Sequence, residues 1–531
     1  MDCRFTKLSY KETGYFSTII TDYLDQAPAL QPFYKHPASN AGLESAIKAR
    51  QGFKVNRELL VSQLQNQYKG VDTTKSVLDN IQSLQKETTF TITTAHQPAL
   101  FTGTLYFVYK LLHAVKLAES LNQQYPAYRF VPVYWMGSED ADLDELGKFY
   151  LGDEKIVWDT KQTGAVGKMN TKGLDKLIHR VDGELSVLPY GGELIKLLKE
   201  AYLNATDIQT ATFKLLNTLF AEYGLVVLIP DTAELKKQMS SVFEEDLFKQ
   251  TPSEIVSKTI DELGKYYKVQ ANPREINLFY LKDNIRERII KSGDSFTTHD
   301  SRLTFSASEI RTELANHPER FSPNVILRGL YQETILPNIA FVGGGGETAY
   351  WLELKGLFEH YKVPFPVLIL RNSFLIVEKK WQEKISNMGF SIKDFFKTEQ
   401  QLLTELVSRQ KNGELKLAKE MEAAIQLYSK VKSKASDIDK SLQQHVEALQ
   451  ARALKPLQEL EKKLLRAEKR KYEAEQRQIH AIKTALFPKD GLQERIDNFM
   501  PYYSRWGKEF FEILYKYSLT IEQEFGVIEE A

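Results

Sequence analysis

The chain has 531 residues, its 70 Lys+Arg balanced by 70 Asp+Glu, with 42% hydrophobic and 26% charged residues. That length predicts several structural units, and the charge balance argues against a protein that coats nucleic acid, which needs a large basic excess. A single cysteine, Cys3, excludes an intrachain disulfide and a cysteine-ligated zinc site.

The opening MDCRFTKLSY has no apolar h-region or cleavage signal, and no apolar run approaches the ~18–20 residues that span a bilayer. The expectation is a soluble cytoplasmic protein. Residues 1–85 read as helices separated by polar turns, with Cys3 in a strand-like start. FTITT (90–94) reads as a strand, TAHQPALFTG as a Pro/Gly-punctuated loop, and Leu105, Val108, Leu112, Val115 and Ala118 as one face of a helix. FVPVYWM (130–136) is apolar almost throughout, the character of a strand buried on both faces of a parallel sheet.

The pattern returns. Residues 213–223 read as a helix capped by Gly224, and LVVLIP as a short strand ending at Asp231. NIAFVGGGGETAYW reads as strand, glycine loop and helix, and PFPVLILRNS as another buried strand. Two stretches of mixed short elements, about 148–207 and 232–322, interrupt this discontinuous α/β unit. Beyond residue 390, Met421, Ala424, Tyr428, Val431, Ala435, Ile438 and Leu442 step by three and four as a heptad seam. A hairpin turn is expected at 434–437, with Ser436 and Asp439 as a capping box. A longer helix then runs to Ala485, bent at Pro456. The basic segment LEKKLLRAEKRK reads as a solvated helix face, with a polyanion or nucleotide contact as the alternative, and the pair of helices predicts antiparallel packing and a dimer.

Three segments fall at the carboxyl ends of strands, where open α/β sheets bind ligands. His96 and Gln97 precede a helix and could hydrogen-bond a phosphate, or simply fix a turn. Glu139, Asp140, Asp142, Asp144 and Glu145 crowd five carboxylates into seven positions. Such crowding suits general-base work or Mg²⁺, or marks a helix N-terminus. Gly343, Gly344, Gly345 and Gly346, followed by Glu347, let backbone N–H groups approach a ligand. No Gly-Lys-Ser/Thr follows, so this is not a Walker A loop. The next strand ends at Arg371 and Asn372 without an acid for a ribose, which argues against a nicotinamide enzyme. The nine histidines show no H-E-x-x-H spacing, so zinc is not supported and no residue is assigned as a metal ligand.

Taken together, TTAHQPALFTGTLYFVYK, RFVPVYWMGSEDADLDE, FSPNVILRGLYQETILPNIAFVGGGGETAYW, PVLILRNS and LEKKLLRAEKRK resemble the BshC family, cysteine ligases of bacillithiol biosynthesis. The resemblance spans nearly the whole chain. It implies a Rossmann-like, class I nucleotidyltransferase-type core (1–147, 208–231 and 323–390) with connecting insertions at 148–207 and 232–322. It further implies an antiparallel coiled-coil dimerisation domain at 391–488 and a C-terminal helical segment, 489–531, packing back on the core. The implied activity joins cysteine to the amino group of glucosaminyl-malate, with ATP or another adenine nucleotide activating the carboxyl and Mg²⁺ as a candidate companion. The alternative is a non-catalytic or partner-dependent scaffold of thiol biosynthesis.

On this resemblance His96 and Gln97 contact phosphates, and one of Glu139, Asp140 or Asp142 orients or deprotonates an amine. Thr102, Gly103, Gly343–Gly346 and Glu347 are the expected nucleotide contacts. Arg328, Asn338, Tyr350, Trp351, Arg371 and Asn372 are the expected substrate contacts, with Arg328 and Arg371 as carboxylate clamps. Small-molecule substrates and a homodimer are expected, without nucleic acid or membrane. The chain departs from the family's familiar loop at Ala95 and Ala99, and has Ala141 where a histidine is common in the acid motif.

Overall fold

A computed structural model describes residues 2–410 and 417–531. The chain forms two compact units, one of residues 1–375 with 493–529, the other chiefly of 376–492.

The first unit is built on five parallel strands: β1 (Thr89–His96), β2 (Arg129–Met136), β3 (Val226–Leu228), β4 (Asn338–Gly343) and β5 (Val367–Leu370). Their spatial order is β3-β2-β1-β4-β5, all neighbours parallel. The chain therefore works outward in one direction from β1 and then crosses back to begin again at β4. The gap between the carboxyl ends of β1 and β4 is the topological switch point, where doubly wound sheets take ligands.

Burial on both faces explains the strand sequences. Phe90, Ile92, Ile339, Val342, Val367 and Ile369 join a core cluster with Ala114, Leu117 and Leu121 of α1 (Leu105–Gln124). On β1 the alternate residues Thr91 and Thr93 are equally buried, and their hydroxyls donate to Asn338 Oδ1 at 3.2 and 2.8 Å. Two further helices frame the switch point: α2 (Val325–Ile335) leads into β4, and α3 (Gly345–Leu352) leaves it. Gly224 takes φ +72° where the chain turns from helix into β3, a left-handed conformation that favours glycine.

Residues 278–323 hold an antiparallel sheet that the sequence pattern did not reveal. Its strands are Leu278–Lys282, Ile285–Ser292, Ser295–Thr298, Thr304–Ser306 and Phe321–Pro323. Tight turns with positive φ at Asp283 and Gly293 join the first three strands.

In the second unit α4 (Ala418–Ile438) and α5 (Leu442–Lys469) form a hairpin. Three cross-links fix them antiparallel: Leu417 N to Glu461, Lys432 to Glu447, and Gln443 to Ser436. The partner numbers rise on one helix as they fall on the other. The turn lies at 439–441 rather than 434–437, and Ser436 is inside α4 and is not a cap. Asp439 instead accepts from Ser441 N at 2.8 Å. The helix passes through Pro456 to Lys469, and a 3₁₀ turn at Arg470–Tyr472 separates it from a further helix, Glu473–Leu486.

Candidate functional site

A cavity of about 390 Å³ opens at the switch point, lined from β1 by His96 and Gln97, from the β2 end by Glu139, Asp140 and Glu145, and from the glycine loop by Gly344–Glu347. Tyr106, Arg286, Asn324, Arg328, Tyr350, Arg371 and Arg495 complete the wall. Three motifs far apart in sequence meet because the strands bearing them are neighbours.

The glycine loop is open for an unusual reason. None of Gly343–Gly346 adopts positive φ, so no tight turn demands them. A Cβ on Gly343 would strike the Phe341 ring at 2.8 Å, so there the packing of β4 requires glycine. At Gly344 and Gly345 a Cβ would make contacts of 3.4 Å or more, and at Gly346 it would meet nothing within 4 Å. The missing side chain at Gly346 therefore leaves room in the cavity, not in the protein core.

Charge holds this loop to β1. Glu347 Oε2 accepts from Gly344 N at 2.8 Å and pairs with Lys110 Nζ at 2.6 Å. Lys110, 1% exposed, also donates to Ala95 O beside His96. Burial, reinforced by Lys110, pushes the His96 imidazole down to about 3. His96 is thus neutral at physiological pH, with Nε2 3.4 Å from Tyr106 OH.

The acid cluster divides its work. Glu139 pairs with the fully buried Lys236 at 2.6 Å. Asp140 accepts from Gln97 Nε2 at 2.9 Å and from Ala141 N at 2.7 Å, with Arg286 NH1 at 3.8 Å. Asp142 caps the short helix Leu143–Leu146, accepting from Glu145 N at 3.0 Å, and does not line the cavity. Glu145 does line it, and burial, with Asp142 and Asp140 nearby, pushes its carboxyl up.

Several expected contacts stand elsewhere. Asn338 opens β4 and is buried in the core, bound to Thr91, Thr93 and Glu333 and absent from the lining. Trp351 is fully buried among Phe341, Phe358 and Phe365. Asn372 is buried, its N–H donating to His113 Nδ1 at 3.0 Å. Thr102 and Gly103 are in a buried loop, and Asn498 donates to Gly103 O there. Gly343 ends β4 and is absent from the lining. Arg371 reaches the cavity, yet its NH2 is bound to the fully buried Glu494 at 2.7 Å, so it is not a free clamp.

The residues that sequence reasoning missed are Tyr106, Lys110, Arg286, Asn324 and Arg495 as cavity or supporting groups, and Glu145 as the acid whose carboxyl is pushed up. Arg328 and Arg495 have no ion-pair partner among the described residues. These two arginines bring positive charge to a wall that also carries the Glu145 carboxyl.

Fold and site together define a Rossmann-like α/β protein with a ligand-sized cavity at its topological switch point. Residues 1–372 match the description "Bacillithiol biosynthesis BshC, N-terminal Rossmann-like domain", and 374–530 match "Bacillithiol biosynthesis BshC, C-terminal coiled-coil domain". Relatives named "Putative cysteine ligase BshC" include one from Flavobacterium johnsoniae, 40% identical over 98% of this chain and 99% of its own. Others are from Cytophaga hutchinsonii, 40% identical over 92% of each chain, and Flavobacterium psychrophilum, 37% identical over 99% of each. The chain belongs to the BshC family of bacillithiol biosynthesis.

Proposed function

We propose that this protein is a cysteine ligase that joins the cysteine carboxyl to the amino group of glucosaminyl-malate, forming a C–N amide bond. The supporting observation is the convergence, in a chain of the BshC family, of the glycine loop, the acid cluster and two unpaired arginines on one cavity at the switch point.

A free carboxylate does not acylate an amine at neutral pH, so the cysteine carboxyl needs an activated leaving group. An adenine nucleotide is the proposed source of that activation. The wall fits its phosphates in two respects: the open backbone at Gly345 and Gly346 begins α3, and Arg328 and Arg495 supply positive charge. A protein-held Mg²⁺ fits less well. No group of three or more His, Cys, Asp or Glu side chains able to hold a metal occurs among the described residues. No step is assigned to it.

The attacking amine must lose a proton. Glu145, its carboxyl pushed up by burial, is the proposed acceptor, in place of Glu139 and Asp140, which are engaged with Lys236 and Gln97. Neutral His96 offers a ring N–H or a lone pair without adding charge. Selection of cysteine over serine works without thiolate-bound zinc, since Cys3 is the chain's one cysteine.

The homodimer through the hairpin of α4 and α5 is part of this proposal. Val431, Leu442, Leu449 and Leu460 are 38–46% exposed there, an apolar surface that a second copy would cover. No helix among the described residues is long and apolar enough to cross a membrane, and the reaction is proposed for the cytoplasm with small-molecule substrates.

Incubating the protein with ATP, Mg²⁺, cysteine and glucosaminyl-malate should yield the cysteinyl amide with AMP or ADP, read by mass spectrometry. Failure to form the amide with every component supplied would remove the proposal.

A further inference from the structure

Of the two cavity arginines without an ion pair among the described residues, Arg328 and the exposed Arg495, Arg328 is the one held by side-chain hydrogen bonds. Arg371 is matched by Glu494, Lys110 by Glu347 and Lys236 by Glu139, and Arg286 faces Asp140. Arg328 is held by two neutral acceptors: NH1 donates to Gln332 Oε1 at 3.1 Å and NH2 to Tyr350 OH at 2.6 Å. Its position is fixed, and no carboxylate among the described residues forms an ion pair with it.

The cause lies one turn further along α2. Gln332 is fully buried, and an amide side chain fits a site of that shape either way round. Here the choice is forced. Gln332 Nε2 donates to Glu333 Oε1 at 2.9 Å, and a carboxylate only accepts, so the amide oxygen is left facing Arg328. Glu333 is itself locked. Its Oε2 receives Arg50 NH2 at 2.7 Å, and its Oε1 also receives Asn338 Nδ2 at 2.7 Å. Asn338 in turn is oriented by the Thr91 and Thr93 hydroxyls. Arg50, Gln332, Glu333 and Asn338 are each at most 2% exposed. A buried polar chain thus runs from Arg50 through the core to a single guanidinium at the cavity wall. Its last acceptor is an amide and not an acid.

We propose that Gln332 is a positioning residue that turns Arg328 toward the cavity as the receptor for a substrate oxyanion and, by being neutral, leaves that charge for the ligand. The inference rests on the ligase reading of the cavity. The oxyanion is either a carboxylate of glucosaminyl-malate or a phosphate of the nucleotide; both present paired oxygens to a guanidinium fork.

Calorimetric titration of the full chain with malate, its uncharged diamide malamide, and pyrophosphate separates these roles. Wild-type protein should bind at least one anion, malate or pyrophosphate, well ahead of malamide. Gln332→Met keeps the volume and removes both hydrogen bonds. It should weaken that anion by about tenfold, as for a lost charged hydrogen bond, and leave malamide unchanged. Tyr350→Phe, on the cavity wall, should give a smaller loss with the same selectivity, and carries the test if Gln332→Met does not fold. Loss confined to malate identifies the carboxylate, and loss confined to pyrophosphate identifies the phosphate. Equal weakening of anion and malamide would show a merely structural role and overturn the proposal. So would a wild type that does not discriminate between them. Amide synthesis by the wild type is scored separately: its absence with anion selectivity intact sinks the ligase reading and leaves the role of Gln332 standing.

Discussion

Replacing Lys110 with methionine tests whether charge fastens the glycine loop to β1. Methionine keeps most of the lysine stem's volume, so the change deletes an ammonium and opens little space. Glu347 would then keep Gly344 N as its remaining donor, at 2.8 Å. Removing one partner of a buried pair costs about 3–5 kcal/mol. The Glu347 side chain is 26% exposed, which argues for the lower end, about 3 kcal/mol. At about 2.1 cal/mol/K per residue, over roughly 400 residues of the first unit, Tm should fall by about 3–4 °C. The double variant Lys110→Met/Glu347→Gln removes the stranded carboxylate and should recover about 1 kcal/mol or more of the loss. A pH signature follows. Burial raises the Glu347 carboxyl, but Lys110 and the bond from Gly344 more than offset it, so its folded pKa is depressed. A depressed carboxyl contributes stability above its unfolded value, about 4.3, and loses it as pH falls through the folded value. The gap between wild type and Lys110→Met should therefore be widest near pH 7 and narrow below about pH 4. Urea denaturation of the four proteins of the cycle at both pH values is the assay. A double variant no more stable than the single one, or a gap unchanged by acid, would show that the Lys110–Glu347 charge pair does not fasten the loop.

Three further outcomes follow from the same geometry. Burial depresses His96 to about 3 and His36 and His113 to about 4, so below about pH 6.5 the unfolded chain binds protons that the native chain refuses. Stability should fall by up to about 1.4 kcal/mol per histidine for each pH unit between 6.5 and 4, read from urea midpoints; NMR titration of His96 near 6.5 would contradict this. Gly346→Ala should leave stability unchanged or raise it by up to about 1 kcal/mol, since its Cβ meets open space at a helix start, while nucleotide or substrate binding weakens by calorimetry. Glu494→Gln leaves the buried Arg371 guanidinium without its carboxylate and should cost about 3–5 kcal/mol in thermal melts, against under about 1 kcal/mol for Arg495→Gln at the exposed neighbouring position.

The parts of the fold legible in the sequence were those whose burial leaves a local mark. β1, β2, β4 and β5 are apolar or Thr-rich runs closed by Pro, Gly or Asn, and α1 carries a clean three-and-four spacing. The sheet at 278–323 was hidden because its strands are half-exposed and charged, as in IRERIIKS (285–292), although Gly293–Asp294 offered a hairpin signal. Motifs located the cavity but could not say which motif residues face it. Trp351 and Asn338 belong to the same stretch as Gly346 and Tyr350, and only packing sends the first two inward. The partner that commits Arg371 is Glu494, 123 residues away, and no periodicity reports such a pairing. Arg495 and Arg286 were missed for the same reason: they reach the cavity from segments with no motif of their own.

The central claim is that the cavity between the ends of β1 and β4 is where substrates bind. The direct measurement is a crystal structure of the protein with glucosaminyl-malate and a non-hydrolysable ATP analogue. Density is expected between Gly346 and Arg328, with an oxyanion on the Arg328 guanidinium and the substrate amine within reach of Glu145. Both ligands bound elsewhere, with Arg328 still held only by Gln332 and Tyr350, would contradict the claim.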